Sequence, residues 1–157
     1  TILDLSEEAW DLVHTIDLKA PFLLMQHVGR HMVARGGGGR IVNVSSSSAF
    51  RARQSIATYG AAKAGLVQLT RSAAADLGPH DINVNAVAPG LTATPLTADY
   101  GDAEKLDAET IEGPLANLLH RVSRPRDVAE AILFLCLPAS RQITGQTIHT
   151  SAGAITV

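Results

Sequence analysis

The sequence has a single cysteine, and that scarcity excludes an internal disulfide. Cys136 lies inside an apolar helical run, which predicts a buried side chain rather than a nucleophile. Long apolar runs are missing too, because the strongest one, Ala131 to Ala139, is too short to span a bilayer. The opening stretch TILDLSEEAW carries no basic region of the kind that begins a signal peptide. These absences predict a cytoplasmic protein with no membrane partner.

A strong excess of charge of either sign is also lacking. Thirteen lysines and arginines stand against 15 aspartates and glutamates, and the basic residues form no stripe. Nucleic acids and anionic membranes attract proteins through such stripes, so we expect neither as a partner. Hydrophobic residues make up 46% of the chain, which favours a packed globular domain over disorder. Its 157 residues suffice for one domain with its own core.

Helical and strand patterns alternate along the chain. The first helix starts after Ser6, which can cap it, and continues to the glycine run Gly36–Gly39. A second helix is predicted over about 58–77, and a third begins near Pro125. The β-branched stretches RIVNVS, INVNAVAPG and GQTIHTSAG are typical of short strands. This alternation predicts an α/β fold, a Rossmann-like parallel sheet with helices on both faces.

The carboxyl ends of the predicted strands are where a ligand should bind. Parallel sheets of this kind hold their ligands in the crevice beyond those ends. The residues expected there are Ser45–Ser46, Pro89–Gly90 and Ser151–Gly153.

A glycine-rich phosphate loop is absent. No G-x-G-x-x-G or P-loop motif follows a strand and opens a helix, and Gly36–Gly39 instead follows a helix and precedes a strand. That glycine run is therefore predicted to be a flexible connection at the end of the sheet away from the ligand. Three strands alone would also leave an apolar edge strand such as RIVNV unpaired. We therefore expect residues 1–157 to be the later part of a larger domain.

Tyr59 and Lys63 are four residues apart on the predicted second helix, so their side chains are neighbours. A nearby ammonium favours the phenolate form of a tyrosine, and a partly dry cleft with a second positive charge strengthens the effect. Such a tyrosine can exchange a proton with an alcohol/ketone pair, while a serine at a strand end holds the same oxygen. The plain alternative is ordinary packing on a helix surface.

Five segments taken together resemble the short-chain dehydrogenase/reductase family in their order and spacing. They are GRIVNVSS, YGAAKAG, INVNAVAPGLTATP, RPRDVAEAILFL and ITGQTIH. The resemblance covers essentially all 157 residues and corresponds to the later portion of that family's Rossmann-type domain. It implies hydride transfer between NAD or NADP and a small-molecule carbonyl or secondary-alcohol substrate, in a protein that is commonly a homo-oligomer through its first two helices.

The resemblance also implies roles for individual residues. Ser46, thirteen positions before the tyrosine, falls on the family's catalytic serine. Tyr59 would be the general acid and base, and Lys63 would tune it and bind the nicotinamide ribose, so both would contact the cofactor. The positions that correspond to contacts with the nicotinamide carboxamide are Pro89, Gly90, Thr92 and Thr94.

Asp17 stands where the family usually has an asparagine that completes a catalytic tetrad. In the family, that asparagine is thought to support a water relay through its backbone carbonyl. Pro21, four residues later, lacks the N–H that the carbonyl of Asp17 would accept in a helix. Asp17 is either a member of the catalytic set or a tolerated replacement, and a buried carboxylate there would need a partner.

Other candidates are weaker. His27 and His31 are four apart but lack the glutamate and third ligand of a zinc helix, so no metal site is predicted. Arg51 and Arg53 follow the serine run and are either solvated or placed to meet an anionic substrate. The acid-rich segment 97–112 lies where the family has its substrate lid.

Two rival functions remain at this level. A non-catalytic relic or oligomerisation module would keep the helices but bind no cofactor, and the missing glycine loop favours it. A Ser-Lys hydrolase would require the Lys63 ammonium directly beside a serine nucleophile.

Overall fold

The computed structural model describes residues 1–95, 97, 103–113 and 115–156, and these form a parallel sheet of three strands. The strands are β1 (Gly39–Val44), β2 (Ile82–Pro89) and β3 (Thr147–Thr150). β2 lies in the middle, paired in parallel with β1 on one side and β3 on the other. Each crossover between them carries helix, so the predicted α/β fold is confirmed.

The helices lie on both faces of the sheet. They are α1 (Glu7–His14), α2 (Ala20–Arg35), α3 (Ala57–Leu77), α4 (Ala103–Ile111) and α5 (Pro125–Cys136). On one face, Leu66 and Ala74 of α3 and Met25 of α2 pack against Ile82 and Val84 of β2. Because strand side chains alternate, the odd-numbered residues of β2 point to the other face.

On that second face, Val87 of β2 packs with Val128 and Leu135 of α5. Both positions of α5 lie on one stripe of the helix, seven residues apart, which is two helical turns. The sheet therefore has a small apolar core on each side, and the polar strand ends are left for other contacts.

The first helix contains a wide turn that its periodicity does not reveal. Ser6 caps α1 as predicted, by accepting a hydrogen bond from the N–H of Ala9 at 3.2 Å. Between α1 and α2, however, Thr15–Lys19 form a π-helical turn, in which the N–H of Ala20 donates to the carbonyl of Thr15. Pro21 has no N–H to close an α-helical turn on Asp17, so the helix widens just before it.

β1 is an edge strand among the described residues, as expected. It pairs only with β2, and Val44 at its end is 46% exposed. The glycine run before β1 turns with positive φ angles at Gly36, Gly37 and Gly38. At Gly38 a side chain would also meet the carbonyl oxygen of Asp81 at 2.6 Å. The run thus lies at the amino end of the sheet, as a connection between α2 and β1.

Cys136 is exposed, so the prediction that it belongs to the core is wrong. It follows the buried Leu135 and ends α5, and one residue further along a helix is a rotation of about 100°. That rotation places Cys136 on the outer face of α5, together with the exposed Leu133 and Phe134. An apolar run alone does not tell which of its residues point outward.

Among the residues that the structure covers, no helix combines the length and the apolar character needed to cross a membrane.

We expect Leu135→Ala to lower the free energy of unfolding by about 2–5 kcal/mol, because it leaves a cavity in the core under α5. Leu135 is 1% exposed, whereas Leu133 on the same helix is 53% exposed. The matched control Leu133→Ala should cost less than about 1 kcal/mol. Urea unfolding followed by circular dichroism measures both, and equal losses would contradict the packing described for α5.

Candidate active site

The carboxyl ends of the three strands meet at one edge of the sheet. The N–H of Ser45, just after β1, donates to the carbonyl of Val87 at 2.8 Å. On the other side, the N–H of Gly90 donates to the carbonyl of Thr150 at 3.3 Å. A side chain at Gly90 would lie 2.9 Å from Cα of Ser151, so this close approach of β2 to the end of β3 requires glycine. The predicted meeting of the strand ends is thus observed.

Two serines of the run after β1 have different partners. The hydroxyl of Ser45 donates to the carbonyl of Lys63 at 3.0 Å, which ties the end of β1 to α3. The hydroxyl of Ser46 accepts a hydrogen bond from the N–H of Ser48 at 3.1 Å and so caps the short 3-10 turn Ser47–Ala49. Ser46 is 8% exposed. In that bond its oxygen is the acceptor, so the bond does not use the proton of the hydroxyl.

Lys63 makes three described interactions at this edge. Its ammonium donates to the carbonyl of Val44 at 3.1 Å and lies 3.0 Å from a carboxylate oxygen of Asp17. The same nitrogen is 5.7 Å from the centroid of the Tyr59 ring. The side chain is 12% exposed, so the charge is largely removed from water. The hydrogen bond to Val44 and the ion pair with Asp17 hold the lysine at the end of β1.

Asp17 reaches Lys63 from the π-helical turn of the first helix. Its neighbour Leu18 packs against α3 at Gly65, where an added side chain would come within 3.0 Å of Cδ2 of Leu18. The absence of a side chain at Gly65 therefore lets the turn approach α3 closely. Asp17 is 24% exposed, and its carboxylate has the partner that the sequence required.

Tyr59 lies half-buried in the first turn of α3. The 3-10 turn that Ser46 caps packs over the same part of the helix, since a side chain at Gly60 would be 3.1 Å from the carbonyl oxygen of Ser48. The structure thus brings the Ser46 turn and the first turn of α3 together. Lys63 lies one helical turn further along α3, with its ammonium close to the Tyr59 ring.

The segment after β2 leads away from the strand end through local hydrogen bonds. The hydroxyl of Thr92 donates to the carbonyl of Gly90 at 3.1 Å. The N–H of Thr94 donates to the hydroxyl of Thr97 at 3.0 Å. Pro89 and Gly90 lie at the strand end itself. The predicted lid over 97–112 falls partly outside the described residues, and its described part includes α4, where Leu106 is buried.

His149 is a feature of this edge that the sequence did not single out. Its ring packs edge-to-face against Phe50, which follows the 3-10 turn, with 4.5 Å between the ring centroids. The Nδ1 atom is buried and has no hydrogen-bond partner among the residues that the structure describes. Burial lowers the pKa of the His149 imidazole below its usual value, because desolvation disfavours the charged ring. No local pattern could have revealed this, since Phe50 and His149 meet only in the folded chain.

The other candidates gain little support. His27 and His31 are both exposed on α2. In the part of the chain that the structure covers, no three His, Cys, Asp or Glu side chains are grouped so that they could hold a metal ion. For the hydrolase alternative, the ammonium of Lys63 bonds to a backbone carbonyl and a carboxylate, and a serine hydroxyl is not among these two partners.

Comparison with known proteins gives consistent matches over nearly the whole chain. Residues 1–154 match the family model described as enoyl-(acyl carrier protein) reductase. A short-chain dehydrogenase/reductase of Hericium erinaceus is 36% identical over 156 residues, which are 99% of this chain and 60% of that protein. A (3R)-3-hydroxyacyl-CoA dehydrogenase of Mus musculus is 38% identical over 152 residues, 97% of this chain and 57% of that protein.

Solved structures agree with the sequence relatives. The structure of a 4-hydroxyisoleucine dehydrogenase complexed with NADH superimposes with a TM-score of 0.91 at 30% identity. The match covers 98% of this chain and 62% of that one. The chain therefore spans about three fifths of the length of the proteins that it matches.

Stability should fall as the pH is lowered through the range in which His149 titrates. The ordinary value of 6.5 applies to the unfolded chain, whereas burial gives the folded chain a lower pKa at His149. Between these two values the unfolded chain binds more protons, so the free energy of unfolding decreases as the pH falls below about 6.5.

The variant His149→Gln should flatten this dependence in urea titrations between pH 5 and 8, roughly the window in which histidines titrate. The control is His27→Gln, which removes an exposed imidazole from α2 and should leave the slope unchanged. An identical slope in the wild type and in His149→Gln would show that the burial of His149 has no such effect.

Proposed function

The chain belongs to the short-chain dehydrogenase/reductase family, and we propose that the protein transfers a hydride between NAD or NADP and the carbonyl carbon of a small molecule. The observation that supports this proposal best is the position of the Lys63 ammonium. It lies at a strand end, largely withdrawn from water, beside the ring of a tyrosine. A phenol held next to such a cation is suited to exchanging a proton with an oxygen that gains or loses charge.

The residues at the strand ends fit the nicotinamide end of such a cofactor. The two contacts described for the Lys63 ammonium account for two of its three hydrogens, which leaves one for a ribose hydroxyl. The backbone at Gly90 carries no side chain, so a flat ring can approach it. In the proposal, Pro89, Gly90, Thr92 and Thr94 face the carboxamide. When bound, the nicotinamide supplies or accepts the hydride.

Tyr59 is the proposed general acid and base. In reduction, its hydroxyl donates a proton to the carbonyl oxygen as negative charge develops there. In oxidation, its phenolate accepts the proton of the alcohol. The ammonium of Lys63, 5.7 Å from the ring centroid, stabilises the phenolate in either direction.

Ser46 is proposed to hold the reacting oxygen. Its hydroxyl caps the turn Ser47–Ala49 as an acceptor, a bond that does not use its own proton. A donor fixed before the reaction begins stabilises developing charge without the cost of reorganisation.

We also propose a homo-oligomer that forms through the first helices. Large apolar side chains on their outer face are exposed, and they include Leu12, Ile16, Leu23, Leu24 and Val28. A cluster of this kind is typical of a protein-protein contact. The rival proposal of an oligomerisation module shares this face, so only cofactor binding and turnover separate the two. A full-length protein that forms oligomers but does not change the fluorescence of NADH or NADPH would support the rival.

Tyr59→Phe in the full-length protein should reduce kcat by about 10²–10⁴-fold, because the proton that neutralises the alkoxide is lost. Binding of NADH or NADPH, followed by fluorescence titration, should stay within about threefold of the wild type, a change of less than 1 kcal/mol. Turnover is measured with each coenzyme and a panel of small ketones that includes ethyl acetoacetate. An unchanged kcat would refute the role of Tyr59.

Ser46→Ala should reduce kcat by about 10²–10³-fold, in line with the removal of one donor to a developing oxyanion. The control is Ser47→Ala in the same turn, which should remain within about threefold of the wild type, or under 1 kcal/mol. If both serine variants lost the same activity, the effect would come from the turn and not from the Ser46 hydroxyl.

A further inference from the structure

We propose that Asp17 is a positioning residue, whose carboxylate holds the Lys63 ammonium at the end of β1 and moves the working pH range of the active site upward. The inference rests on the proposed function, because it assigns regulation to the same site. The sequence left two interpretations of Asp17 open, and the proposal favours the one in which Asp17 belongs to the catalytic set.

The contact itself is a close ion pair with limited access to water. Oδ1 of Asp17 lies 3.0 Å from Nζ of Lys63, with 24% and 12% of the side chains exposed. Surface ion pairs lose most of their energy to solvent and salt, whereas partly buried pairs are screened much less. The other contact of the ammonium is the carbonyl of Val44, which carries no net charge. The positive charge of Lys63 is therefore balanced by Asp17.

The backbone fixes the position of the carboxylate. Asp17 lies in the π-helical turn Thr15–Lys19, and its neighbour Leu18 packs at Gly65 on α3. Gly65 is two residues after Lys63 on the same helix. The packing of Leu18 and the ion pair therefore join the same two segments, so the backbone at Asp17 is held beside α3.

The charges that face Lys63 come from few elements. On α3 itself the neighbouring titratable group is Tyr59. From the first helix comes Asp17. His14, three residues earlier, is engaged elsewhere, since it stacks on Trp10 and lies 3.2 Å from the hydroxyl of Thr58. From β1 the contact is a backbone carbonyl. The carboxylate of Asp17 is thus the negative charge paired with this ammonium.

The consequence for Tyr59 follows from the charge balance. Lys63 alone would favour the phenolate with a full positive charge, but the pair of Asp17 and Lys63 is neutral overall. An asparagine at the same place would keep an oxygen for the hydrogen bond and remove the negative charge. Without that negative charge, the ammonium of Lys63 beside the Tyr59 ring is no longer balanced and favours a negative charge on the phenol more strongly.

The test compares pH profiles of kcat/KM for the full-length protein, with NADH or NADPH and ethyl acetoacetate. Asp17→Asn should shift the limb of the profile set by the general acid and base to lower pH, with the plateau within about threefold of the wild type. Asp17→Ala should show the same shift and, because the ammonium is no longer held, a plateau lower by about tenfold. A merely structural role would lower the plateau without moving the limb.

Asp11→Asn is the matched control, because it makes the same change of charge on an exposed residue of α1. Its profile should superimpose on that of the wild type, since solvent screens an exposed charge. A profile of Asp17→Asn that does not move, or that moves to higher pH, overturns the proposal.

A second measurement tests the ion pair even if the proposed hydride transfer fails. If the wild type turns over no substrate, the hydride-transfer proposal fails, and the ion pair is then tested by unfolding Asp17→Asn, Lys63→Met and the double variant. Coupling between the two sites, seen as a double variant more stable than the two single losses predict, supports the pair. Additive losses overturn it.

Discussion

The ammonium of Lys63 is the interaction on which the candidate site depends. It joins a strand end, through the carbonyl of Val44, to the first helix, through the carboxylate of Asp17. It does so from α3, which also carries Tyr59. A single charge on α3 thus contacts both β1 and the π-helical turn. The ammonium is largely withdrawn from water, and the carboxylate of Asp17 balances part of its effect on the neighbouring phenol.

Small residues and one proline allow these elements to come so close. Gly65 admits Leu18 beside α3, Gly60 admits the carbonyl of Ser48, and Gly90 admits the backbone at Ser151. Pro21 removes one helical hydrogen bond, and the helix widens at the turn that carries Asp17. The polar side chains of the site are therefore positioned by backbone packing, which is more rigid than long side chains at a surface. Rigid placement is what a preorganised site requires.

Much of the fold could be predicted from local patterns. The second helix, predicted over about 58–77, spans Ala57–Leu77, and the three strands and the unpaired edge at β1 were expected. Tyr59 and Lys63 could be linked from their spacing because a helix places residues four apart together. The pairing of Asp17 with Lys63 could not be predicted, since it depends on how the π-helical turn docks on α3. Contacts between distant segments, such as Phe50 with His149, and the outward direction of Cys136 likewise arise from tertiary packing.

The most direct test of the account is a crystal structure of the full-length protein with its nicotinamide coenzyme and a bound ketone or alcohol. The account predicts that the hydroxyls of Tyr59 and Ser46 both lie within about 3.2 Å of the same substrate oxygen, with the Lys63 ammonium on the ribose. A complex in which either hydroxyl faces a different region from that oxygen would contradict it.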